Sequence, residues 1–244
     1  MKKPHLVSFA DGAFKSRRPV FERMARASGF FSQIHVHGLE SLEKEFQNRH
    51  ARYMLETARG FGHWIWKPKV IQQTLASVSS DDMVLYLDAG FTLNSHAKAR
   101  FVEYVEIASS HPSKMLSFMN IFTEAHWTKA DLFARVGFSL SCLEAKTSQL
   151  GSGFIIVGNT VQNRELVDEW GRIAIEENYH FSDDSDSVLD NHPLFQEHRH
   201  DQSISSLLRK QHGTAVTHYE VQGYEGRFER IKKTVPTWAT RSRT

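Results

Sequence analysis

A chain of 244 residues with 40% hydrophobic and 11% aromatic content can build one large core, which excludes a largely disordered protein. Its formal charge of +2 supplies no field strong enough to draw the whole molecule onto nucleic acid. Cys142 is the only cysteine, so an internal disulfide framework is excluded; a lone thiol fits a reducing compartment and serves best as a small, inert, buried residue.

No apolar run approaches the ~20 residues that cross a bilayer. The first nine residues read as an opening strand rather than a secretion signal, so the cytoplasm is the expected location, with contact at a membrane surface left open. No repeat and no long low-complexity linker interrupts the chain, and residues 1–244 are expected to form one domain.

In chain order, residues 6–9 form a short apolar strand broken by Asp11-Gly12, and helical spacing over 19–27 ends at Gly29. A second strand is expected at 34–36 and a helix over 39–54. After the segment 60–68 comes a helix over 69–78, with Pro68 in its first turn. Residues 83–87 are apolar without alternation, as suits a strand buried on both faces. A helix over 97–108, a strand at 115–118, a helix over 127–136 and a buried strand at 154–157 follow, the last opened by Gly151 and Gly153. A long helix is expected over 161–177. The acidic stretch 180–200, with Asp183, Asp184, Asp186 and Asp190, reads as a surface loop of the kind that binds or covers ligands. A helix over 203–210 and a strand at 215–217 close the pattern. Strands alternating with helices define an α/β layered fold.

Asp88 ends the most apolar strand, and in open α/β sheets ligands bind beyond the carboxyl ends of the strands. Ala89 and Gly90 leave room there for a ligand. The carboxylate can hold a divalent cation on a diphosphate or bind a ribose hydroxyl; equally, it can begin a turn through its own backbone bonds. In 60–68, Lys67 is placed to face phosphate, while Trp64 and Trp66 suit the core better than a stacking platform. Gly60-x-Gly62 lacks the third glycine and the preceding strand of a dinucleotide fingerprint. Asp201 stands where a helix begins, as an N-cap or as a carboxylate that contacts a sugar or takes a proton. His198, His200 and His218 are candidate metal ligands, with hydrogen-bonded structural histidines as the alternative. From about residue 227 the tail is basic, with Arg227, Arg230, Lys232, Lys233, Arg241 and Arg243 interleaved with Phe228, Ile231 and Trp238. It can line a pyrophosphate, touch anionic headgroups or stay solvated.

Taken in order, Trp64-x-Trp66-Lys67-Pro68, Tyr86-Leu87-Asp88-Ala89-Gly90 and His200-Asp201-Gln202-Ser203 resemble bacterial polysaccharide-type glycosyltransferases of the GT-A fold. More distantly they are similar to glycogenin-like and mannosyltransferase-like families. The resemblance runs from about Leu6 to His218. It implies a Rossmann-like α/β/α sandwich around a mixed, mostly parallel sheet. It also implies a nucleotide-diphosphate sugar as donor, UDP-sugar favoured, and a divalent cation, Mn2+ or Mg2+, on the diphosphate. Asp88 matches the first residue of the family's Asp-x-Asp motif, and Gly90 replaces the second, so His200 or His218 would have to complete a metal site, or basic residues such as Lys67 would neutralise the diphosphate. Lys67, Asp88, Ala89, Gly90 and Gly153 are the implied donor-binding residues. Asp201-Gln202 matches the Asp-Gln pair that contacts the transferred sugar.

The reaction so implied is sugar transfer to a hydroxyl of a glycan acceptor in surface polysaccharide synthesis, with contact at the inner membrane surface and no nucleic acid partner. Asp201, or less well Glu124, would take the acceptor proton if the anomeric centre inverts. Two other classes fit parts of the pattern: a metal-dependent hydrolase or phosphoesterase, from His198-x-His200-Asp201, and a non-catalytic carbohydrate-binding protein, from the five Trp residues.

Overall fold

A computed structural model describes residues 2–218, 220–221, 229 and 233–241. The chain runs through β1 (His5–Phe9), α1 (Arg17–Ser28), β2 (Ile34–His37), α2 (Lys44–Glu56), a short turn α3 (Gly60–His63), α4 (Trp66–Ser77), β3 (Met83–Leu87) and β4 (Phe91–Leu93). It continues through α5 (Lys98–Ser110), β5 (Met115–Thr123), α6 (Glu124–Trp127), α7 (Ala130–Val136), α8 (Leu143–Lys146), β6 (Ser148–Leu150) and β7 (Phe154–Gly158). α9 (Val161–Ile175), α10 (His200–His212), β8 (Ala215–Thr217) and β9 (Thr237–Ala239) complete it.

Seven strands form one sheet in the order β2-β1-β3-β7-β5-β6, with β8 also paired to β5. β2, β1 and β3 run parallel; β7 runs against both β3 and β5; β8 follows β5, and β6 opposes it. Five of the seven strands therefore point one way, and the sheet is mixed and mostly parallel, as expected. Its inner strands are buried on both faces because their residues alternate between two cores. Val7, Val84, Tyr86 and Val157 pack toward α4, α9 and α10, where Val70, Trp170 and Ile204 meet them. Leu6, Leu85, Leu87 and Ile156 pack toward α1 and α5, against Phe21, Phe101 and Tyr104. The unbroken apolar runs of β3 and β7 are the signature of this two-sided burial.

The boundaries differ from the sequence reading for local reasons. α1 stops where expected, at Gly29, whose φ of 67° is left-handed and whose amide bonds the Arg26 carbonyl. The helix expected over 39–54 begins only at Lys44, because Leu42 is extended with ψ 153°. The helix expected over 127–136 is two short helices separated at the extended Thr128. The one expected over 161–177 ends at Ile175, before the left-handed Glu177 and Asn178. The last helix starts three residues early, at His200. Strands β4, β6 and β9, each of three residues, were not anticipated. The acidic stretch is irregular but pinned: Asp131 accepts the Val188 and Leu189 amides at 2.7 and 2.8 Å, and Lys129 donates to the His180 carbonyl at 2.8 Å.

The histidines of the edge strand β2 should make stability pH-dependent. His5, His35 and His37 stack in a row with ring centres 6.2 and 6.4 Å apart. Burial, and then the charges of His35 and Arg18, push the His37 pKa down to about 4. A folded value below the unfolded one of about 6.5 means that the contribution is whole above pH 6.5 and is lost as pH falls toward 4, about 3 kcal/mol in all. Urea titrations at pH 7 and pH 4.5 should show wild type losing about 2–3 kcal/mol more than His37→Gln. Equal losses would remove His37 from the explanation.

Candidate active site

Three motifs far apart in sequence meet at one ammonium group. The segment 60–64 is a left-handed turn: Gly60, Phe61, Gly62, His63 and Trp64 have φ of 60°, 51°, 82°, 48° and 60°. Each non-glycine residue there costs roughly 1–2 kcal/mol, and such strain concentrates at functional sites. Glycine is required at two of the positions. A Cβ on Gly60 would lie 2.4 Å from the Trp64 ring, and one on Gly62 would lie 2.7 Å from Met54. The turn delivers Lys67 into the first turn of α4, with Pro68 beside it.

Lys67 is 1% exposed. Its Nζ lies 2.7 Å from Asp201 Oδ2 and 3.5 Å from Asp88 Oδ1, and it donates to Ser152 Oγ at 3.1 Å. Asp88 follows β3, and its amide bonds the Gly153 carbonyl of the neighbouring strand's approach at 2.9 Å. Its Oδ1 accepts the Tyr86 hydroxyl at 2.5 Å. Asp201, 4% exposed, sits in the first turn of α10, where the helix dipole favours a carboxylate. Burial works against the Lys67 ammonium, but the attraction of Asp201 and Asp88 outweighs it and raises its pKa. The Asp201 pKa is also raised, by burial first, with Lys67 opposing. Two carboxylates thus share one ammonium.

This cluster forms part of the wall of a cavity of about 840 Å³, to which Lys67, Asp88, Ala89, Gly90, Gly153, His200, Asp201 and Gln202 all contribute. Gln202 is held by donating to Gln149 Oε1 at 2.7 Å. Trp66 is buried, stacked on Phe9 at 4.0 Å, yet also borders the cavity, as does the half-buried Trp64. Glycine at 153 permits close approach, since a Cβ there would lie 2.8 Å from Asp88 Oδ2. Gly90 has a similar reason: a Cβ would meet the Phe14 ring and the Arg241 backbone at 3.3 Å, so the place of a second aspartate is crowded.

Other anticipated residues lie elsewhere. His218 is exposed at the end of β8 and does not line the cavity. His198 is buried with Nε2 at 2.9 Å from the Phe181 carbonyl, and it is likewise absent from the lining. Glu124 is fully buried and ion-paired with Lys210 at 2.8 Å, which removes it from the cavity as a base. Cys142 is only half-buried and accepts the Ala145 amide. Of the basic tail, Arg241 lines the cavity, whereas Arg227, Phe228, Arg230, Ile231, Lys232 and Arg243 lie outside the described residues. Residues not anticipated include Tyr86, Asn120, Arg59 and Arg199; the hydroxyl of Tyr86, at the end of an otherwise apolar strand, was the one available signal.

No family model matches the chain, and no curated protein matches it. Among solved structures, it is similar to a glycosyltransferase involved in the glycosylation of the major capsid of PBCV-1. That likeness has a TM-score of 0.56 and 13% identity, over 99% of this chain and 95% of that one. It is also similar to the apo structure of the bifunctional glycosyltransferase WbbM, with a TM-score of 0.50 and 12% identity, over 97% of this chain and 45% of that one. These likenesses establish the fold as the GT-A type that the motifs had implied.

Proposed function

We propose that the chain is a glycosyltransferase that moves a sugar from a nucleotide-diphosphate sugar, UDP-sugar favoured, to a hydroxyl of a glycan acceptor in surface polysaccharide synthesis. The observation that carries this reading is the convergence of Lys67, Asp88 and Asp201 on one cavity at the carboxyl end of β3. Such a cavity is of the size that takes small-molecule ligands.

The donor diphosphate is placed along Ala89, Gly90 and Gly153, where the small residues let it approach the backbone, and Asp88 accepts a hydrogen bond from a ribose hydroxyl of the donor. Asp201 and Gln202 hold the transferred ring in line for attack, with Lys67 fixing the Asp201 carboxylate. As the bond from the anomeric carbon to the diphosphate breaks, charge grows on the leaving oxygen and must be met by preorganised cations. Arg59, Lys67, Arg199 and Arg241 all contribute to the cavity wall.

The resembled family would place a divalent cation at Asp88. The residues here do not build that site. Gly90 offers no ligand, His218 is exposed away from the cavity, and Asp88 Oδ1 is already engaged by Tyr86 and Lys67. His200 lines the cavity but has its Nε2 toward Asp184 and its Nδ1 on the Ser182 carbonyl. The chemistry is therefore assigned to the cationic side chains. The hydrolase alternative is less well supported, because within its motif His198 is tied to a carbonyl and Asp201 to Lys67, which leaves His200 alone with a free ring nitrogen. No helix among the described residues is long and apolar enough to cross a membrane. A cytoplasmic enzyme that touches the inner membrane surface through its basic tail remains part of the proposal.

Asp88→Ala tests the assignment in a transfer assay with the enzyme's best donor. A fall in kcat/KM of about 10²-fold or more is expected; unchanged transfer from every usable donor would overturn it.

A further inference from the structure

We propose that His63, Asp184 and His200 form a divalent transition-metal site of the zinc class behind the part of the cavity wall that His200 lines, separate from Asp88. One ligand atom from each residue lies within 4.8 Å of the others. His63 Nε2 is 3.1 Å from Asp184 Oδ2, and His200 Nε2 is 3.7 Å from Asp184 Oδ1. Ligands about 2.0 Å from a tetrahedral ion stand about 3.3 Å apart, so the two histidine–carboxylate distances are near that spacing. A separation of 4.8 Å would have to close by about 1.5 Å through rotation of the exposed Asp184 and the rings.

The decisive group is His200. Its Nδ1 lies 2.8 Å from the Ser182 carbonyl, which can only accept, so Nδ1 carries the proton and Nε2 presents a lone pair. That Nε2 is buried, has no hydrogen-bond partner, and faces a carboxylate oxygen beyond hydrogen-bond distance. A lone pair set against a carboxylate in a residue 2% exposed lacks an electropositive partner, and a cation supplies one. A backbone carbonyl on the far ring nitrogen is also the usual way a metal-binding histidine is oriented. His63 differs: its Nε2 donates to Asp184 Oδ2 at 3.1 Å while its Nδ1 accepts from the Tyr53 hydroxyl at 2.7 Å, and because that hydroxyl can also accept, an ion at Nε2 would move the ring proton to Nδ1. Both histidines are held at left-handed φ, 48° and 52°.

The ligands come from α3, the acidic stretch and the start of α10. An ion there would tie the stretch to the residue before Asp201. Arg59 now pairs with Asp184 at 2.9 Å and also with Glu197, so it keeps a partner when the metal takes the carboxylate. The Asp184 side chain is 49% exposed, which gives an ion a path from solvent. His and carboxylate ligands suit Zn2+, and three of them leave a fourth position open.

The test is titration of tag-free, chelator-treated protein with Co2+ alone as a spectroscopic stand-in for zinc. One ion per chain is expected, with the visible absorption of a tetrahedral nitrogen and oxygen site. Asp184→Asn and His200→Gln should each weaken binding at least about 10-fold, while His218→Ala and Asp88→Asn bind as wild type does. Asp184→Asn is isosteric and half exposed, and its metal-free circular dichroism should match wild type. Added Zn2+ should raise the Tm of wild type but not of Asp184→Asn. Absence of stoichiometric binding in wild type, binding unchanged in both ligand variants, or loss of binding in His218→Ala or Asp88→Asn would each overturn the proposal. None of these readouts depends on sugar transfer, so failure here leaves the donor assignment standing.

Discussion

Replacing Lys67 by methionine should lower the unfolding free energy by about 3–5 kcal/mol and abolish transfer. Methionine keeps most of the length and apolar stem of lysine, so the loss isolates the charge. Lys67 is 1% exposed and Asp201 is 4% exposed, so removing the ammonium leaves a largely buried carboxylate without its counter-ion. Tyr86 continues to donate to Asp88, but Asp201 loses an ion pair of 2.7 Å. The double variant Lys67→Met/Asp201→Asn should be more stable than the single one by about 1–3 kcal/mol, because it no longer buries an unpaired charge. Urea unfolding measures both. A loss below about 1 kcal/mol for the single variant would mean that the cluster is not held by this lysine.

Asp201→Asn separates function from stability. Transfer should fall about 10²–10⁴-fold in kcat/KM, while stability at pH 7 changes by less than about 1 kcal/mol or rises. Burial raises the Asp201 pKa above its unfolded value. A group shifted in that direction contributes stability that is present below the unfolded pKa and lost as pH rises through the folded one. Ionising it in the folded protein therefore costs stability, and Lys67 beside it reduces that cost. Asparagine keeps the shape, removes that cost and leaves Lys67 paired with Asp88. If the variant transfers sugar at the wild-type rate, Asp201 has no part in the chemistry. A variant that loses both activity and several kcal/mol would assign it to the fold alone.

The central strands were legible because burial on both faces leaves an unbroken apolar run, as in 83–87 and 154–157. Helix ends were legible where a residue carries the reason for stopping, as at Gly29. Three-residue strands such as β4, β6 and β9 are too short to show a period, and their pairing comes from distant segments. The left-handed turn before α4 was invisible for another reason: Phe61, His63 and Trp64 adopt φ values that tertiary packing imposes against their own preference. Asp88, Lys67, Asp201 and Gln202 were each identifiable from a short motif, but not the ammonium that joins two of the carboxylates. His200 was identifiable as a candidate ligand, though not with the neighbours now proposed beside it, since His63 and Asp184 stand on separate segments that carry no common spacing. His218 shows the converse, a histidine at a strand end that the fold leaves exposed.

The most direct measurement is thermal unfolding across a panel of UDP-, GDP- and CMP-sugars, with and without Mn2+. One nucleotide's diphosphate sugars should raise the Tm by roughly 5–10 °C at about 100 times their Kd, and Asp88→Ala should lose the rise. A Tm that stays flat across the whole panel, or a rise that survives in Asp88→Ala, would contradict a sugar-nucleotide donor held by Asp88.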